Sequence, residues 1–487
     1  MEVYTIGIDI GTGSTKAIAI NHDGKIIFST QVPYPTRSPK PGYSEQNPEQ
    51  LWAAFIECIK RTIENFILQP HSISISAAMH SLIPVNESGE PLMNMITWAD
   101  NRSAEIAEHL KRSSMAEMLY EQTGTPIHAM SPLCKILWLK ENEPELFQNT
   151  YKFISIKEFF WHKLFGVYEV DHSIASATGL FDLETRQWNL NALQLIGITE
   201  DKFSTPVVTT HRRSEIIGNV FDQATETTFI IGASDGCLAN LGSFAVTSGI
   251  AALTIGTSGA IRVAHTKPTF NFEAMTFNYI LDENTFISGG PINNGGAALK
   301  WFTENILDKT PDAIDYAEIF RNIENIQTGC DGLIFLPYIQ GERAPLWNSH
   351  ARGVFFGITA QHNQHHLTRA VIEGITMALY HVADALENAG LALEQIHVSG
   401  GFVQSETWLQ LTADLFNKKV CLSNPEDASA LGAAYLALKS LGVINHYDQL
   451  KPKQIVTYHP NSEKHNMYIK NFSLYKKVYE NLKDVMQ

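Results

Sequence analysis

The chain opens on apolar runs separated by small-residue turns. Residues 4–20 form two β-rich runs around Gly11-Thr12-Gly13-Ser14, and a third run, 25–30, follows an Asp23-Gly24 turn, which is the pattern of an antiparallel meander. Asn47-Pro48-Glu49 supplies an N-cap, a proline at the first helical position and an early acid. Leu51, Trp52, Phe55, Ile56, Ile59, Ile63 and Phe66 then recur at helical spacing and predict a helix with one buried face. A short strand over 73–79 ends at His80, and strands and helices alternate from there, so the class is α/β. Residues 367–388 place Ala370, Val371, Ile375, Leu379, Val382 and Leu386 on one face and stop before Gly390, as a capped core helix does.

An internal echo organises these elements. The run Ile6 to Ser14 reappears as Ala252-Leu-Thr-Ile-Gly-Thr-Ser-Gly-Ala260, where a strand again meets a Gly-Thr turn and a second strand leaves it. Two such hairpins half a chain apart predict two similar domains, with a boundary in the small, uncharged stretch 243–250. Residues 464–487 interleave lysines with Tyr468, Phe472, Tyr475 and Tyr479. Because Glu480 and Asp484 interrupt the positive face, this reads as a docking helix rather than a nucleic-acid surface.

Composition narrows the class. The 487 residues carry 36 Lys plus Arg against 51 Asp plus Glu, a net charge of −15, with 44% hydrophobic and 18% charged residues. That describes a soluble globular chain of several domains and argues against a partner such as nucleic acid, which needs a basic face. The five cysteines are widely spaced with no Cys-x-x-Cys pair, so a reducing, cytoplasmic setting without a disulfide framework is expected. No export signal is visible, and residues 236–261 are too rich in Gly, Ser and Thr to be a membrane span, so no membrane partner is expected.

The candidate chemistry lies at the turns. No Walker A motif occurs, and Lys16 stands where a dinucleotide fingerprint needs its third glycine. What remains at residues 11–14 is a tight turn whose amides can form an anion-binding concavity. Asp9, an acid inside an apolar strand just before it, calls for a cation, and beside a phosphate turn hydrated Mg2+ is the natural one; the plain alternative is a hairpin acid capping its own turn. Asp235 follows the strand 229–231 as the lone charge of a long neutral stretch, placed either to accept a proton from an attacking hydroxyl or to close an Asx turn with Gly236. Gly256-Thr257 repeats the first turn, and Gly400-Gly401 ends a strand where backbone could approach a flat base.

Asp before a Gly-Thr turn, Asp after a strand, a second Gly-Thr turn and a late Gly-Gly, in that order over nearly the whole chain, resemble the actin-like ATPase superfamily and within it the FGGY carbohydrate kinases. Met130-Ser-Pro-Leu-Cys-Lys-Ile-Leu-Trp138 and Gly353-Val-Phe-Phe-Gly357 look like that family's two signatures. Met79-His-Ser-Leu-Ile83, Ile96-Thr-Trp-Ala-Asp-Asn-Arg102, Gly290-Pro-Ile-Asn-Asn-Gly-Gly296 and Gly341-Glu-Arg-Ala-Pro-Leu-Trp347 are similar to its gluconokinase branch.

The resemblance implies two ribonuclease H-like domains facing each other across a cleft: residues 1–246 for the sugar, 247–450 for the nucleotide, and 451–487 as a tail with its docking helix. It implies ATP-dependent phosphorylation of a small sugar acid, D-gluconate to 6-phospho-D-gluconate, with xylulose or another ketose as the alternative substrate. Asp235 matches the catalytic base and touches the substrate. Asp9 matches the acid holding Mg2+ through water, with Asp235 beside the metal. Gly11, Thr12, Gly13, Ser14, Gly256 and Thr257 match the ATP-phosphate turns, and Gly296, Gly400, Gly401 and Ser405 match the adenosine side. Met79, His80, Trp98 and Asp100 fall on the sugar side; Ser81 stands where glycine commonly follows in xylulose-type members. Arg102, Lys135, Lys157 and Arg343 are the cations available to a substrate carboxylate, Arg343 first because a guanidinium grips a carboxylate with two hydrogen bonds. A homodimer is the assembly left open.

Overall fold

The N-terminal runs form the meander that their alternation predicts: β1 (Tyr4–Ile10), β2 (Ser14–Asn21) and β3 (Ile26–Pro33) pair antiparallel. The structure, a computed structural model, describes residues 3–217, 227–422, 427–450 and 456–486. α1 (Pro48–Ile63) begins where the sequence places it, with the Asn47 side chain accepting from Glu49 N–H, and it buries Leu51, Phe55 and Ile59. Trp52, Ile56, Ile63 and Phe66 pack at the rim of that core and are only partly buried. β4 (Ser72–Ala77) and β5 (Thr228–Ile230) join the sheet in parallel, giving the order Arg212–Arg213, β5, β4, β1, β2, β3. α2 (Ile156–Phe165) packs its aromatic face into the core, α3 (His172–Ser176) is short, and α4 (Asp235–Gly242) follows β5.

These elements belong to a first unit made of Met1–Val246, His265–Ile287 and Pro425–Lys451; Thr247–Ala264, Ser288–Asn424 and Pro452–Gln487 form the second. The units therefore differ from three consecutive segments, because two later stretches bury themselves in the first. Asn278 N–H donates to Gly124 O at 2.8 Å, and Tyr120 OH donates to Thr276 O at 2.6 Å. The helix Ala428–Ser440 lies against β1 and α4 so closely that a Cβ on Gly7 would fall 1.9 Å from Ala430 O, and one on Gly432 would fall 2.0 Å from Leu238 O. Only glycine permits backbones to meet at that distance.

In the second unit, β6 (Gly249–Ile255) and β7 (Gly259–His265) form an antiparallel hairpin. With β8 (Thr285–Ile292), β9 (Leu393–Ser399), β10 (Lys419–Leu422) and the edge strand Val456–Tyr458 they are consecutive neighbours in a seven-stranded mixed sheet, in the order β8, β7, β6, β9, β10, Val456–Tyr458. β6 pairs with β9 in parallel, as β1 does with β4, so the echo in sequence is an echo in topology. α5 (Gly296–Asn305) follows β8, and α7 (Glu406–Phe416) follows β9. Between them α6 (Gln364–Asn388) buries the apolar face read from its spacing. The terminal helix Ser462–Leu482 buries Tyr468, Phe472, Tyr475 and Tyr479, and Lys476 pairs with Asp384 at 3.0 Å. Among the described residues no helix is long and apolar enough to cross a membrane, and all five cysteines are buried thiols.

The glycine contacts give a stability test. Gly432→Ala must push a helix backbone off Leu238 O, an overpacking cost at or above about 3 kcal/mol, and thermal unfolding should start roughly 6–12 °C lower. Gly256→Ala, where a Cβ meets nothing within 4 Å, should leave the unfolding temperature unchanged in the same scan.

Candidate active site

Asp9 sits near the end of β1, and the sheet decides what surrounds it. Its register partners are Lys16 on β2 and Ser76 on β4. Ser76 Oγ donates to Asp9 Oδ1 at 2.5 Å, while Lys16 Nζ reaches Asp427 Oδ1 at 2.6 Å. Burial pushes the Asp9 carboxyl up to about 7, and the Asp235 charge adds to that push against Ser76 and Lys16. Asp235 is the first residue of α4, after Ser234 as N-cap; its Oδ1 accepts from Gly236 N–H at 2.7 Å, and its carbonyl accepts from Ser429 Oγ at 3.1 Å. The first unit thus brings the two acids into one electrostatic neighbourhood, although 226 positions separate them in sequence.

The turn between β1 and β2 is held by its carbonyls. Gly11 O accepts from Tyr34 OH at 2.6 Å, Thr12 O from Gln46 Nε2 at 2.6 Å, and Gly13 O from Tyr34 N–H at 3.1 Å. In a trans peptide the C=O and the following N–H point in opposite directions, so the amides of Thr12, Gly13 and Ser14 turn away from these anchors as a set. Thr12 Oγ1 accepts from Trp98 Nε1 at 2.9 Å, and Ser14 Oγ accepts from Gln31 Nε2 at 2.8 Å. Tyr34, Gln31, Gln46 and Ser76 are absent from the sequence reading, and no local motif marks them.

A small pocket beside this turn is lined by Gly11, Thr12, Met79, Thr97, Trp98 and Ile156. His80, in a left-handed conformation with φ +64°, adjoins it; its Nδ1 lies 2.7 Å from Ala177 O, so that nitrogen carries the proton. Lys135 Nζ donates to the carbonyls of both His80 and Thr97, the latter at 2.8 Å, and ties the two loops together. Ser81 Oγ accepts from Ile156 N–H at 3.0 Å.

Asp100 anchors its loop. Its carboxylate is wholly buried and accepts from Ser44 N–H and from Arg102 N–H, Nε and Nη2 at 2.6–3.0 Å. Arg102 is consumed in turn, pairing with Glu45 at 2.6 Å and stacking 3.9 Å over Tyr43. Lys135 and Lys157 are equally buried and engaged.

The second unit repeats the turn with different anchors. Gly256 O accepts from Gly296 N–H at 2.7 Å and Thr257 O from Ala297 N–H at 3.0 Å, so the start of α5 holds the carbonyls and the amides of Thr257 and Ser258 face away. Gly400 follows β9 with φ +98°, and a Cβ on Gly401 would meet nothing within 4 Å. Ser405 is the N-cap of α7: its Oγ accepts from Trp408 N–H at 3.2 Å and keeps its own O–H to donate. Arg343 is anchored at Nε by Asn293 Oδ1, 2.7 Å, and at Nη2 by Ile292 O, 3.1 Å.

Comparison with known proteins places this geometry. The gluconokinase of Bacillus licheniformis is 40% identical over 459 residues, 92% of this chain and 90% of that protein. Among solved structures, the gluconate kinase of Lactobacillus acidophilus superposes with a TM-score of 0.94 at 33% identity, covering 99% of this chain and 98% of that one. A ligand-bound xylulose kinase from the same organism gives 0.93 at 34%, over the same shares of the two chains. The model for the N-terminal domain of the FGGY family of carbohydrate kinases matches residues 4–242, and the model for its C-terminal domain matches 251–441. Matched by both domains in order over most of its length, the chain belongs to the FGGY family of carbohydrate kinases.

Proposed function

We propose that the protein transfers the γ-phosphoryl group of ATP to a terminal hydroxyl of a small sugar acid, D-gluconate giving 6-phospho-D-gluconate, in the cytoplasm. The observation that carries the substrate is the 40% identity to a gluconokinase along nearly the whole chain. Xylulose is the second reading, favoured by the equal fit of a xylulose kinase structure.

Asp235 serves as the base. The Gly236 amide and the helix start fix one of its oxygens, and the carboxylate takes the proton of the attacking hydroxyl. The outward amides of residues 12–14 and 257–258 bind phosphate oxygens; on the adenosine side Gly401 leaves its backbone open to close approach, while Gly296 and Gly400 pack against Gly256 O and Ile255 O and shape the backbone there. Met79, His80 and Trp98 hold the polyol; with Nδ1 protonated, His80 Nε2 is an acceptor, 3.4 Å from the Tyr279 hydroxyl. Arg343, whose guanidinium can grip a carboxylate with two parallel hydrogen bonds, is the first choice for the substrate carboxylate.

The donor set fits Mg2+. Two carboxylates, one pushed up by burial and by the charge of the other, call for a hard, mostly hydrated cation. Asp9 and Asp235 would hold it, and it would supply positive charge against the phosphates.

A panel of sugars and sugar acids in a coupled ADP-release assay tests the substrate. We expect kcat/KM for D-gluconate to exceed that for xylulose at least about tenfold; an equal or higher value for xylulose replaces the acid reading with the ketose one. Asp235→Asn should lower kcat at least about a hundredfold while calorimetry finds ATP affinity nearly unchanged. The Asp9 carboxyl rises from 3.8 to about 7 on folding, so its contribution to stability is complete below pH 4 and is lost as pH rises to 7. Asp9→Asn should therefore raise the unfolding temperature of the metal-free protein at about pH 8. Mg2+-dependent ATP binding should tighten between about pH 6 and 8 in the parent, and this change should disappear in Asp9→Asn.

A further inference from the structure

The turn that delivers Asp235 is bridged to Ala77 through Ser234 and held by Gly232 N–H on Thr209 O at 3.1 Å, and three further contacts, none made by the Asp235 side chain, fix it. Gly232, with φ +76°, lies so close to β4 that a Cβ there would fall 1.9 Å from Ile75 O. The carbonyl of Ala233 accepts a hydrogen bond from Lys157 Nζ at 2.8 Å. Ser234 N–H donates to Ser173 Oγ at 3.1 Å, and the two hydroxyls are 2.9 Å apart.

Asp171 links the last two contacts. Its Oδ1 caps α3, which carries Ser173, by accepting from Ile174 N–H at 2.9 Å, while its Oδ2 lies 2.8 Å from Lys157 Nζ. Lys157 is 1% exposed, and Asp171 and Ser173 are fully buried, so none of the three can meet a substrate. Burial drives the Lys157 pKa down, and Asp171 draws it back.

A buried ion pair is a poor device for stability, since well-packed apolar groups of the same size usually serve as well. This one does something an apolar pair cannot: it grips a backbone carbonyl two residues before the base. The same helix, α2, is keyed to the His80 turn through Ser81 Oγ and Ile156 N–H.

We propose that the Lys157–Asp171 pair is a positioning device for phosphoryl transfer, fixing the 232–235 turn so that the Asp235 carboxylate meets the attacking hydroxyl. This rests on Asp235 being the base. A displacement of about 1 Å at such a group costs up to roughly a hundredfold in rate.

The test uses Lys157→Met, Asp171→Asn and the double variant in the full chain. Lys157→Met alone strands a buried charge and should lower the unfolding temperature. The double variant removes both charges, keeps the α3 cap and should recover that temperature. If the pair positions Asp235, kcat of the double variant stays roughly 30- to 100-fold below the parent, with KM for ATP and for the polyol within about threefold. Recovery of kcat together with the unfolding temperature, or a loss carried by KM, overturns the proposal.

Asp171→Asn alone leaves Lys157 without its ionic partner and decides the matter if the double variant does not fold. Its kcat should fall roughly tenfold, and a parent-like kcat overturns the proposal. A parent-like kcat in Asp235→Asn is a separate result, which removes the base assignment and the proposal with it.

Discussion

The first unit is organised around a repulsion. Asp9 is desolvated and feels the charges of Asp235 and Asp427, with only Ser76 and Lys16 among its main influences working the other way. Fold stability alone would not select such a pair, because each like charge raises the cost of ionising the other. The features around it reduce that cost without removing it. Ser76 and Lys16 flank Asp9 across the sheet, Gly236 N–H steadies Asp235, and Lys157 is withdrawn behind the turn to grip Asp171. The negative potential that remains suits a hydrated divalent cation carrying a nucleotide.

Both turns follow a second rule, set by covalent geometry. Because the peptide is planar and trans, holding a run of carbonyls dictates where the next amides point. The first turn is held by the side chains of Tyr34 and Gln46 together with the Tyr34 backbone amide, while the second is held by the backbone at the start of α5. The same polarity is therefore reached by two routes, and the shared Gly-Thr is what remains visible of it in the sequence.

Periodicity made the scaffold legible. The meander, α1 and α6 follow from alternation or helical spacing because each buries one face of a regular element. The family was legible because its turns recur in order. The charged side chains were not, since composition counts a cation without showing its partner: Arg102 looks available until Tyr43 and Glu45 fold over it. Ser405 carried a local signal for its cap role, since Ser followed by Glu406 marks a helix start. The tethers on the first turn carried none, because Gln46 and Thr12 meet only through the fold.

The helix Ala428–Ser440 closes over β1 with glycine-to-carbonyl contacts, yet it is encoded near the far end of the chain. On the ribosome, the first unit emerges without the piece that covers Gly7. At roughly 5–20 residues per second, the wait from residue 246 to residue 440 lasts roughly 10–40 s. During that interval a nearly finished sheet exposes the face that this helix covers, and transiently exposed apolar surface is prone to association with other nascent chains. Synthesis rate, as much as sequence, then governs how much of this kinase reaches its folded state.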